Sequence, residues 1–358
     1  RSDPLPKWHL HTTYSYTEIF FTGCMATTSC HDAPLRRESL SIPHLDRVVV
    51  SHFQSRKPTP TNQHSRTPLR RHRAQRSLLN FAALVLIVLG IIFFVNFRSK
   101  HPQRKIAFMF LTKGNHRQPA IWEKFLQGNE DRYVIVSHVK SVDDVTQGFL
   151  RDRVLPELVP TSWGTISLVR ATMLLLKGAF QDPLVDKAVI LSEACVPIKD
   201  FNFIYDMLTA DSKSWFIYQP WDTMLQEFKD RYLPETGILR ENWVHHSQWM
   251  AMRRNHAAHI LEEDFTSQWE RTYTGDEHYF LSVLRTRGID IDDTTWNRCV
   301  TFTNWKDSDR GLHPKEYTKL TGADVETFKK SSCLFARKFA VTSDIDTYWD
   351  DITSHQLR

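Results

Sequence analysis

Twenty successive residues, Leu78 to Phe97 (LLNFAALVLIVLGIIFFVNF), carry no charge. At 1.5 Å of rise per residue such a helix reaches about 30 Å, the thickness of a bilayer's hydrocarbon. An uncharged run of this length has no polar face to give to water, so the pattern predicts a transmembrane helix over 78–97 rather than a buried core helix. Beyond it, short apolar runs alternate with helical ones. KIAFMFLT (105–112), RYVIVSHV (132–139) and KAVILSE (187–193) read as buried strands. AIWEKFLQG (120–128) and FIYDMLTA (203–210) read as helices, as does WGTISLVRATMLLLKGAF (163–180), where Ile166, Val169, Met173, Leu176 and Phe180 recur at helical spacing. Strand–helix alternation predicts an α/β domain with a largely parallel sheet, whose ligands bind at the carboxyl ends of the strands. After Trp215 the alternation weakens into aromatic-rich segments, followed by helices from about Asn255 to Glu263 and Glu277 to Arg287.

Charge divides the chain. Residues 1–77 hold 12 of the 46 Lys and Arg and 5 of the 41 Asp and Glu, leaving 34 basic against 36 acidic side chains for the rest. A basic balance confined to a tail does not make a nucleic-acid-binding domain, which needs clustered cations on a folded surface. The tail is rich in Ser, Thr, Pro, His and Arg and lacks an apolar period, so 1–77 is expected to be disordered. Arg66, Arg70, Arg71, Arg73 and Arg76 precede the apolar run, and Arg98, Lys100, Arg104 and Lys105 follow it. The larger, closer cluster favours a cytoplasmic N-terminus. The organisation expected is a cytoplasmic tail (1–77), a membrane helix (78–97), a short stem (98–104) and a lumenal domain (105–358).

The missing motifs narrow the chemistry. Neither GxGxxG nor a P-loop occurs, which counts against a nicotinamide dehydrogenase or an NTPase; HExxH, CxxC and GxSxG are absent too. Three Asp-x-Asp pairs, Asp290–Asp292, Asp307–Asp309 and Asp344–Asp346, lie beyond residue 285 and read as solvated loop acids, so no metal site is assigned.

Seven segments resemble one family in order: KIAFMFLTKG (105–114), SWG (162–164), LSEACVPIKD (191–200), HHSQWMAMRR (245–254), GDEHYF (275–280), TFTNWKDSDRGLHP (301–314) and CLFARKFA (333–340). Together they are similar to the core-2/I-branching β-1,6-N-acetylglucosaminyltransferases, in their plant type. The resemblance implies a GT-A-like fold in a single-pass type II Golgi membrane protein with a lumenal catalytic domain. It implies an inverting transfer from a UDP-sugar to a glycan or glycoprotein acceptor, without metal or other cofactor. N-acetylglucosamine is the first choice of donor sugar, with xylose or glucuronic acid as alternatives. A catalytically silent lumenal binding protein is the rival from another class.

An inverting transfer needs a base for the acceptor hydroxyl and positive charge where the diphosphate leaves. The resemblance places Glu277 as that base, at the first turn of a helix. It favours Lys338 as the diphosphate contact, with Arg337 beside it and a further cation, Lys319 or Lys315, upstream. By position at the strand ends, Thr112, Lys113 and His138 fall on the uridine side; Glu193 and Cys195 end the third strand, which the resemblance places near the sugar-binding region. Trp249 and Trp305 could stack on sugar rings, whereas His245 and His246 read as polar surface or core. Of the lumenal Cys195, Cys299 and Cys333, Cys195–Cys333 is the pairing considered. No Asn-x-Ser/Thr sequon occurs.

Overall fold

The structure, a computed structural model, describes residues 80–90, 103–146, 148–308 and 313–354. Residues 80–90 are helical. The rest of the expected 78–97 span, the tail and residues 98–102 of the stem lie outside the described residues. Among those described, no helix is long and apolar enough to cross a membrane.

From residue 103 on, the chain builds a six-stranded sheet of order β2-β1-β3-β8-β5-β9. The strands are β1 (Lys105–Thr112), β2 (Tyr133–Val139), β3 (Val185–Ser192), β5 (Ser214–Phe216), β8 (Ala251–Arg253) and β9 (Thr295–Asn297). β1 runs parallel to β2 and β3, and β5 parallel to β9; β8 is antiparallel to both its neighbours. The sheet is therefore parallel-rich with one reversed strand. That strand comes from the aromatic region whose period was too short to read, because β5 and β8 have only three residues each.

In β1, Ile106 through Phe110 are all fully buried, as expected of a parallel strand covered on both faces. Their alternation divides the core. Ile106, Phe108 and Phe110 join Val189 and Leu191 of β3 on one face, whereas Ala107 and Met109 join Ala188 and Ile190 on the other. The first face carries α1 (Pro119–Leu126), α3 (Phe201–Thr209) and α7 (Ile345–Ser354). The second carries α2 (Ser167–Ala179), α4 (Arg254–Leu261) and α5 (Tyr279–Thr286). Phe108 packs edge-on against Trp122, Phe125 and Phe335 with ring centroids 5.4–6.1 Å apart; emptying that position with Phe108→Ala would cost about 3–5 kcal/mol.

Two smaller sheets complete the body: β6 (Tyr218–Pro220) with β7 (Val244–His246), and β4 (Val196–Pro197) with β11 (Phe335–Arg337) and β10 (Thr301–Thr303). α6 (Gly322–Lys330) opens with a capping box between Thr321 and Asp324. At its other end the buried Lys199 ammonium donates to the carbonyls of Phe328 and Lys329, a cation where the helix dipole is negative.

The structure fixes a pairing that cysteine spacing left open, and it is not Cys195–Cys333. Cys299 is bonded to Cys333, closing a sequence separation of 34, and Cys195 is a buried free thiol. Cys195 follows β3, where its sulfur lies 3.3 Å from both the amide nitrogen and the hydroxyl of Ser192. Cys299 instead lies two residues before β10, which is paired with β11, and β11 begins two residues after Cys333. His245 and His246 are core residues, with His245 stacked on Phe228 at 3.5 Å. Burial holds both imidazoles below their ordinary pKa, hence neutral.

Candidate active site

Strand register assembles the first part of the site. Leu111 of β1 pairs with His138 of β2 and with Ser192 of β3, so Thr112, His138 and Glu193 end up along one carboxyl edge. His138 is buried there; its Nε2 accepts the Val159 amide at 3.0 Å, and burial lowers its pKa. Thr112 is also buried, and its backbone carbonyl accepts from Lys140.

A cationic group stands at the same edge. Arg117, in the loop after β1, donates its amide to the Glu193 carbonyl at 2.9 Å. Its guanidinium reaches Glu316 at 2.5 Å, Glu193 at 3.8 Å and the Phe339 carbonyl at 3.2 Å. Lys338 approaches the same Glu316 oxygen at 3.9 Å. Arg337, the last residue of β11, lies 4.4 Å over the Trp249 ring, a stacking contact that a guanidinium makes better than an ammonium. Burial lowers the pKa of Arg337 and Lys338, opposed for Lys338 by Glu316. Three cations thus face two carboxylates.

The remaining candidates are placed differently. Lys319 is exposed in the turn before α6. Lys315 is held by Asp324 at 2.7 Å and Asp307 at 3.7 Å. Trp249 is buried, with the Arg337 guanidinium over its ring; Trp305 is half-buried in the loop after β10. Several of the Asp-x-Asp acids have structural partners. Asp290 caps the turn of Asp292 and Asp293, Asp292 accepts from Tyr218, and Asp344 accepts from the Leu320 amide; Asp309 lies outside the described residues. No cluster of metal-ligating side chains occurs among the described residues.

Glu277 closes a tight turn, Gly275–Glu277, that precedes α5 instead of forming the helix's first turn as expected. The separation arises at His278, whose φ of −137° leaves the helical range. Topology places this turn on the same edge. α2 leads into β3 as a crossover and therefore begins where the parallel strands end. The turn is fastened to that beginning: the Thr274 amide donates to the Gly164 carbonyl at 2.9 Å, and a Cβ on Gly275 would sit 3.2 Å from Ile166. Thr274 is left-handed at φ 50°, the only non-glycine residue with positive φ among those described, a conformation that costs about 1–2 kcal/mol and tends to accompany functional turns.

Arg231 joins this turn to the segment after β6. One of its guanidinium nitrogens donates to Glu277 at 2.9 Å and to the Thr274 hydroxyl at 2.6 Å. Burial raises the Glu277 carboxyl above its ordinary pKa, and Arg231 pulls it back down. The neighbouring Asp276 is more deeply buried, with one carboxylate oxygen lacking a hydrogen-bond partner; burial and then the Glu277 charge raise its pKa. A carboxylate with raised basicity, held beside an arginine, can accept a proton from a hydroxyl. Arg231, Arg117 and Glu316 escaped the sequence reading. None sits in a spaced motif, and their partners are 46 and 199 residues away.

The chain matches the family model described as Core-2/I-Branching enzyme over residues 106–331, a stretch that contains Arg117, Glu193, Arg231 and Glu277 and ends before Arg337 and Lys338. It is similar to Glycosyltransferase BC10 of Oryza sativa subsp. japonica, at 29% identity over 63% of this chain. The matched part is 65% of that protein's length. The parallel-rich sheet, the helices on both its faces and the family match agree, and the chain belongs to the Core-2/I-Branching enzyme family.

Proposed function

We propose that the chain is an inverting glycosyltransferase of GT-A-like fold that moves N-acetylglucosamine from UDP-N-acetylglucosamine to a glycan hydroxyl without a metal ion. The observation that carries this reading is the pairing of the raised Glu277 carboxylate, fixed by Arg231, with the Arg117, Arg337 and Lys338 cations at the same sheet edge. Glu277 takes the proton from the acceptor hydroxyl as its oxygen attacks the anomeric carbon. The bond to the donor diphosphate breaks with its electron pair leaving on UDP, and the cations stabilise that charge. A lysine or arginine can fill this role as a fixed positive charge. Thr112, His138 and Glu193 lie where uridine and donor sugar would enter a carboxyl-edge cleft.

The Cys299–Cys333 disulfide supports an oxidising compartment. With the uncharged 78–97 run it supports a lumenal Golgi domain behind a single membrane anchor. Two measurements test the reading. UDP should bind the full chain equally with and without EDTA. Glu277→Gln should lower kcat by about 10²–10⁴-fold, the usual worth of a general base, while UDP still binds. A Glu277→Gln enzyme within a few-fold of the parent would move the base to another carboxylate.

A further inference from the structure

Two of the large apolar side chains left in solvent touch each other beside Glu277. Trp163 is 67% exposed and Tyr273 51% exposed, and their rings meet edge to face, 5.7 Å apart at 79°. Each belongs to a segment of the turn assembly around the base. Trp163 adjoins Gly164, whose carbonyl accepts from Thr274, and Tyr273 immediately precedes Thr274. Gly164 has φ +75°, and a Cβ there would approach Tyr273 to 3.1 Å, so the two loops are fitted to each other and not loosely apposed. The Arg231 guanidinium that holds Glu277 lies 5.6 Å over the Tyr273 ring. The result is a rigid aromatic corner with a guanidinium and a carboxylate along its edge.

Single exposed apolar side chains are ordinary, whereas a contiguous exposed pair rimmed by polar groups is a feature of binding surfaces. A pyranose ring suits this corner, because its C–H face packs on an aromatic face while its hydroxyls reach charged groups at the rim. We propose that Trp163 and Tyr273 form the acceptor-side sugar platform, seating the pyranose whose hydroxyl is presented to Glu277. This rests on the assignment of Glu277 as the base; the placement of the aromatic pair does not.

The test uses the full chain labelled with 5-fluorotryptophan, the Trp163 line being identified with Trp163→Phe. Methyl β-D-galactopyranoside, methyl β-D-xylopyranoside and the methyl β-glycoside of N-acetylglucosamine are titrated in turn. At least one should move the Trp163 line saturably, in the parent and in Glu277→Gln alike, and Tyr273→Ala should abolish the movement. In transfer assays Trp163→Ala should raise the acceptor KM roughly 3- to 10-fold, the worth of one aromatic contact, with Trp163→Tyr restoring most of it. UDP affinity within twofold of the parent shows that each variant has folded. A line that no glycoside moves, or that UDP alone moves as far, overturns the platform. A normal glycoside response together with a fully active Glu277→Gln removes the base and leaves the platform standing.

Discussion

Arg231→Gln tests the site through its pH dependence. The Arg231–Glu277 contact is 2.9 Å, and the two side chains are 20% and 30% exposed. Charge centres about 4 Å apart interact by about 4 kcal/mol at an effective dielectric near 20, and partial exposure and salt reduce this to about 2 kcal/mol. That difference favours the Glu277 carboxylate over its protonated form, since Arg231 acts to lower a pKa that burial has raised. Removing the guanidinium therefore raises the pKa further, and less of the Glu277 carboxyl is ionised at a given pH. In a pH–rate profile of kcat/KM, the acid limb should move to higher pH. At a fixed pH on that limb the variant should lose about 30-fold, the factor that ~2 kcal/mol represents, with most of the loss recovered on the alkaline plateau. A uniform loss across all pH values would show that Arg231 serves only to shape the turn. An unmoved acid limb would mean that Glu277 is not the titrating base.

Four further outcomes follow from particular contacts. Lys338→Ala should weaken UDP binding by roughly 10- to 100-fold, as expected for a lost charge-assisted contact, measured by calorimetry. Glu316→Gln should act in the opposite direction, tightening UDP by roughly 2- to 5-fold, because Glu316 now draws on both Arg117 and Lys338; weaker binding would place the diphosphate elsewhere. Breaking the Cys299–Cys333 bridge with Cys299→Ser releases a loop of separation 34, worth about 4 kcal/mol on the chain-entropy account, whereas Cys195→Ser should not alter the effect of reductant on the urea midpoint. Asp276 binds its proton more tightly folded than unfolded, so stability should fall as pH rises from about 4 toward about 7, and the thermal gain from Asp276→Asn should be larger at pH 8 than at pH 5.

The early half of the domain was legible because each strand is long enough to carry its own period. β1 matches the expected 105–112 span, and β2 and β3 differ from theirs by one or two residues at their ends. β5, β8 and β9 are three residues each and take their place from tertiary pairing, so no local pattern announces that β8 runs backwards. The same limit hid the disulfide. Cysteine spacing is silent about partners, and Cys299 meets Cys333 only because β10 pairs with β11.

The site shows the same division between local and assembled chemistry. Glu277 stands in a compact motif, GDEHYF, and it is the family resemblance carried by that motif that singles it out. What tunes it has no such local mark, because Arg231 lies in a segment without periodicity and its contact with Glu277 spans 46 residues of chain. Arg117 likewise meets Glu316 across 199 residues of chain. A carboxylate alone in a motif would be an ordinary surface acid; burial raises its proton affinity, and one guanidinium limits how far. The balance between those two effects sets the pH range in which the Glu277 carboxylate is ionised, and it depends on contacts made across the fold rather than within the motif.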